Sequence, residues 1–155
     1  MKAKHFLWTI LSLLFVAAIV YLVEQHIVYR KSDLRLVYGF LSKKPIIKNS
    51  RFTIHVSVNG SNRQFITDRA GFRALQKQKI IKELSKGDFV TIGKSKAFIR
   101  NHKNDVLLYL SSDSSTYISL EAYNQERRRT FRFIFYFIGG IMIAYLLARL
   151  IKQHL

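Results

Sequence analysis

Arg127, Arg128, Arg129 and Arg132 form the densest group of like charges in the chain. At 100° per residue they spread over roughly 200° of a helix circumference. A basic collar of that width can meet anionic headgroups on several sides, each cation contributing about 1 kcal/mol near an anionic leaflet. A nucleic-acid groove would want one basic face with interleaved aromatics. The four arginines therefore read as an anionic-lipid or orientation collar. A second pattern follows on the same stretch. Gly140, Ala144 and Ala148 fall four apart, and so line one stripe of a helix. Small side chains at that spacing let two helices approach closely, which makes the stripe a candidate helix-packing face.

Catalytic patterns are missing from the sequence. The chain has no Cys, which excludes a thiol nucleophile, a disulfide frame and a thiolate metal site. His5, His26, His55, His102 and His154 have no second His or carboxylate at helical metal spacing. Gly39, Gly60, Gly71, Gly87 and Gly93 are isolated, so no phosphate loop is expected. Glu121 and Glu126 lie five apart and point in different directions on a helix. No enzymatic activity, metal or cofactor is expected.

The elements that would position the collar and stripe come from charge and hydropathy. Of 155 residues, 26 are Lys or Arg and 9 are Asp or Glu, a net charge of +17. All nine acids lie between Glu24 and Glu126. Phe6 to Val23 is free of charge, as is Phe133 to Ala148. The first is about 27 Å of helix, and 131–151 is about 31 Å, against a hydrocarbon core of ~30 Å. Both are expected to span a membrane, the first as an uncleaved anchor. Residues 1–29 then form an N-terminal region with its span at 6–23. Residues 30–120 form an extramembrane domain, and 121–155 a helix continuing into the second span. Five positive charges on the terminal side, the amino terminus among them, against seven basic residues on the domain side lean toward a cytoplasmic domain. The basic N-terminus argues the other way.

The middle reads as β-rich. Arg51 to Val58 alternates apolar and polar residues, and Asn59-Gly60 suits a type I′ hairpin before a strand from Ser61 to Thr67. Asp68 can cap a helix over 69–86 that Gly87 ends. Strands are expected at Leu34 to Leu41, Phe89 to Ile92, Ala97 to Arg100, Val106 to Leu110 and Thr116 to Leu120. That order, β-β-β-α-β-β, resembles the OB-fold, a partly open five-stranded barrel; the resemblance is topological and carries no ligand residues. A small α+β sandwich is the alternative. Residues 24–130 hold 21 Lys or Arg against the nine acids, a net +12. Such charge attracts nucleic acid, anionic lipid or an acidic protein.

The expected protein is a two-pass membrane protein that presents a basic domain at the bilayer surface. Its partners would be membrane lipid and another membrane protein, or itself as a homo-oligomer. One alternative is a membrane-anchored nucleic-acid-binding OB-like module, which requires aromatics exposed on the barrel face. Another is an accessory subunit of a membrane enzyme or transporter.

Overall fold

The computed structural model describes Leu11 and residues 14–23, 27–96 and 105–154; beyond Ile141, side chains are described at Ile143, Ala144 and Ala148. The chain divides into two bodies, Tyr29–Arg127 and a helical one from Met1–Val28 and Arg128–Leu155.

The first body is a small α+β domain built on an eight-stranded sheet. Its strands are β1 (Leu34–Leu41), β2 (Ile46–Lys48), β3 (Arg51–Val58), β4 (Ser61–Ile66), β5 (Phe89–Ser95), β6 (Asp105–Val106), β7 (Tyr109–Ser111) and β8 (Thr116–Ile118). The order across the sheet is β6-β4-β3-β1-β5-β7-β8, with β2 beside β3. β6 at one end of this path and β7 near the other are continuous in the chain. Leu107 N–H donates to the Ile66 carbonyl at the end of β4, and Leu108 N–H donates to the Gly93 carbonyl in β5. Successive amides on opposite sides of one backbone thus join β4 to β5 and close a barrel. The β4–β6 pairing is parallel, whereas every other pairing is antiparallel. Lys94 and Asp105 fix the seam with an ion pair, 2.8 Å to each carboxylate oxygen.

Alternation fills this barrel. Phe52, Ile54 and Val56 of β3 point inward and are wholly buried, with Phe65, Val90, Ile92, Leu107 and Leu110. Asn59 and Gly60 both have positive φ and join the flanking pair Val58↔Ser61, the geometry of a type I′ turn. Asn49 and Ser50 repeat that geometry between Lys48 and Arg51. The hairpin of β2 and β3 gave no sequence signal, because Ser is an uncommon residue at positive φ. Gly39 is required: a Cβ there would collide with the Ser57 carbonyl and the Val56 side chain, where β3 crosses β1.

Several expectations are corrected. The helix expected over 69–86 is two, α2 (Arg69–Ala74) and α3 (Lys77–Glu83). They part because Leu75 turns extended and Gln76 N–H donates to the Tyr117 carbonyl beyond the helix. The strand expected at 106–110 changes partner at Leu107–Leu108 and so becomes β6 and β7. Ala97 to Arg100 lies outside the described residues.

The larger correction concerns the spans. Among the described residues no helix is long and apolar enough to cross a membrane, and the two-pass reading is not retained. In the first expected span, helix α1 is described over 14–23, about 15 Å long; the rest of 6–23, apart from Leu11, lies outside the described residues. Helix α4 (Leu120–His154) is long enough, but its first turns carry Glu121, Glu126 and the four arginines. Its unbroken apolar run with described side chains is 133–141, about 14 Å.

Candidate functional site

Strand β1 carries apolar side chains on both faces. Val37 and Leu41 point into the barrel, while Leu36, Tyr38 and Phe40 point out and are 45%, 53% and 56% exposed. A rise of about 3.4 Å per residue puts these three about 7 Å apart along one line. The neighbouring strand supports them. Phe40 pairs with Phe89 of β5, ring centroids 5.2 Å apart and edge-on at 65°. Tyr38 pairs with Thr91, whose short side chain leaves the phenol ring uncovered. The outcome is a rigid row of two aromatic rings and a leucine on the outer wall.

Cations and amides continue the same face. Phe40 also pairs with Ser57 of β3, and Arg51, Thr53 and His55 share that outward side. Through the next pairings they stand beside Lys48 of β2 and Asn62 and Gln64 of β4. Arg51 and Lys48 are exposed and His55 is half-buried. The face thus offers π-surfaces, amide donors and acceptors and positive charge. Its described residues include no paired acid and base of the kind a hydrolytic site needs. Among the described residues no group of three or more His, Asp or Glu could hold a metal.

A second cluster ties the start of α4 to the barrel. The Tyr123 hydroxyl donates to Asp68 Oδ2 at 2.6 Å, while Asp68 Oδ1 caps α2 by accepting from Gly71 N–H. Burial pushes the Tyr123 pKa well up, and the adjacent Asp68 carboxylate adds to the shift. Tyr29 and Asn124 exchange two hydrogen bonds, from Tyr29 N–H to Oδ1 and from Nδ2 to the Tyr29 carbonyl. The Arg127 guanidinium lies 4.5 Å from the Tyr29 ring centroid. Burial acts to lower its pKa, but the Tyr29 and Tyr123 hydroxyls outweigh this and raise it.

This places the residues singled out in the sequence. Arg127 is half-buried and stacked on Tyr29, a joint within the barrel body. Arg128, Arg129 and Arg132 are exposed, as are Gly140, Ala144 and Ala148. A Cβ at Gly140 would meet open space, so no described residue packs there. Lys77 and Lys79 lie 4.0 Å and 5.8 Å from the ring centroids of Phe72 and Tyr117. The stripe of Leu36, Tyr38 and Phe40 was missed. Its signal was present, since a strand apolar on both faces, with one side left open, has an outward surface to explain.

No family model matches the chain, and no curated protein matches it. Solved structures give distant likenesses. The complex of TiaS with an isoleucine tRNA and ATP is 13% identical over 54% of this chain and 18% of that one, at a TM-score of 0.39. Apo TiaS, a tRNA agmatidine synthetase, is 16% identical over 55% and 19%, at 0.37. The S. pombe Stn1–Ten1 complex is 10% identical over 73% and 88%, at 0.39. The chain spans about a fifth of the length of the TiaS chains. All three scores fall below 0.5, and none of these likenesses carries an argument about this protein.

Proposed function

We propose that the barrel body binds single-stranded nucleic acid on its outer wall, and that its role is binding rather than catalysis. The carrying observation is the exposed row of Leu36, Tyr38 and Phe40, stiffened by Phe89 and continued by Arg51, Lys48 and His55. Bases stack on exposed rings whatever their identity, at about 1–3 kcal/mol each, and nearby cations neutralise phosphates. Rings about 7 Å apart let neighbouring bases take separate places. A net +12 over residues 24–130 supplies long-range attraction. The strand order supports the reading, since partly open five-stranded barrels of the OB type bind oligonucleotides on an outer strand face and its flanking loops. The membrane-lipid partner expected from the sequence has no support among the described residues.

The test is titration of the full chain against labelled oligothymidylate and oligouridylate at several salt concentrations. Affinity is expected to fall with salt, and Tyr38→Ala and Phe40→Ala to weaken binding by roughly tenfold each. Binding that ignores both substitutions, or its absence at low salt, overturns the reading.

A further inference from the structure

Strand β2 lies at an open edge, since among the described residues it pairs with β3 alone. Its hairpin has a two-residue turn, so the flanking Lys48↔Arg51 pair exchanges the ladder hydrogen bonds. Ile47↔Phe52 is then the non-bonded pair, and Ile47 turns its N–H and C=O away from β3, toward the free side. A groove of about 100 Å³ lies there, lined by Lys44, Pro45, Ile47, Ile80, Ile81 and Leu84. It has room for one apolar side chain. Ile81 at its rim is 63% exposed.

Charge identifies the occupant. Lys43, Lys44 and Lys48 are exposed along the edge, and Lys82 is exposed next to Ile81. Between Ser42 and Lys86 the acids are Asp68 and Glu83. Asp68 is held by Gly71 and Tyr123, and Glu83 accepts from the Tyr117 hydroxyl. A second copy of this edge would bring its own lysines against these and be repelled.

We propose that β2 and this groove dock an extended acidic segment of a partner protein. The segment adds as a strand against Ile47, places one apolar side chain between Ile47 and Ile81, and sets carboxylates against Lys43, Lys44, Lys48 and Lys82. Backbone pairing supplies the orientation and the groove supplies selectivity. The proposal does not depend on the aromatic row of β1. The simpler account of edge lysines is that they only prevent sheet-to-sheet association.

The test uses the full chain with three blocked peptides of equal length, alternating Val with Glu, Val with Ser, or Val with Lys. The Val/Glu peptide is expected to bind, the Val/Ser peptide more weakly, and the Val/Lys peptide undetectably. Ile81→Ala removes the apolar contact without changing charge, and is expected to cost at least about fivefold in affinity. Because Ile81 is exposed, its urea midpoint should not move. The Ile47 amide should gain protection from hydrogen exchange in the complex. Equal binding of Val/Glu peptide to the Ile81→Ala variant, or an unprotected Ile47 amide, leaves only diffuse charge attraction and overturns the proposal. Displacement of the peptide by oligothymidylate from a Tyr38→Ala, Phe40→Ala double variant, which lacks the aromatic row, also overturns it, by assigning the edge to nucleic acid.

Discussion

Phe52 and Phe65 of the barrel body are wholly buried, whereas Phe133 and Phe137 of the helical body are 71% and 63% exposed. Leu41 and Leu110 contrast with Leu14 and Leu22 in the same way. In the barrel, alternation sends every second side chain inward, and closure at Leu107–Leu108 removes the open side. In the helical body the apolar residues occur in continuous runs, so they surround a helix rather than line one stripe of it. Such a helix cannot cover itself. Apolar content alone therefore does not reveal which residues hold this chain's own fold together.

Substitutions can break or sharpen that contrast, the first having the largest effect. Phe65→Ala is expected to lower barrel stability by about 3–5 kcal/mol, because it opens a cavity in a packed interior. The urea midpoint followed by circular dichroism measures it, and a loss under about 1 kcal/mol would mean the interior is not closed. Tyr123→Phe is expected to cost about 1–2 kcal/mol by removing the hydrogen bond to Asp68. Its pH dependence adds a second signature. The folded state holds the Tyr123 hydroxyl neutral at a pH where the unfolded chain, near 10.0, releases the proton. That stabilisation is present below the unfolded value and is lost as pH rises past it. The unsubstituted protein should lose stability above pH ~10 more steeply than Tyr123→Phe. Phe137→Ala, removing a ring of equal size from an open position, should move the midpoint by less than about 0.5 kcal/mol.

The strands were legible where period two was strict. Arg51 to Val58 and Leu34 to Leu41 have the boundaries the sequence implied, and Asn59-Gly60 forms the turn its residue types favour. What could not be read was pairing. Nothing local to Leu107-Leu108 says that consecutive amides serve different strands, so two strands read as one. The break at Leu75 depends on the Tyr117 carbonyl, about forty residues away. The neighbours of the collar were equally hidden. Charge spacing placed four arginines around one helix, but the ring under Arg127 comes from Tyr29, nearly a hundred positions earlier. The outward aromatics of β1 were visible as letters. Their exposure required knowing that none of the described elements covers that wall.

The parallel seam also has a consequence in time. Two adjacent type I′ turns make β2, β3 and β4 a meander whose contacts are local, and hairpins form in about 1–10 μs. The seam joins Phe65 to Asp105 and Ile66 to Val106 through two residue pairs only. It must await the ordering of both helices and β5, and slow closure is the usual cost of such distant pairing. Val56→Ala in the meander should therefore slow folding, with a φ-value above about 0.5, whereas Leu107→Ala at the seam should chiefly speed unfolding, with a φ-value near zero. Equal values at the two sites would reject this order of events. On this order, β4 is left for a time as an uncapped edge, and the last step of folding is also the first point at which the barrel can be opened again.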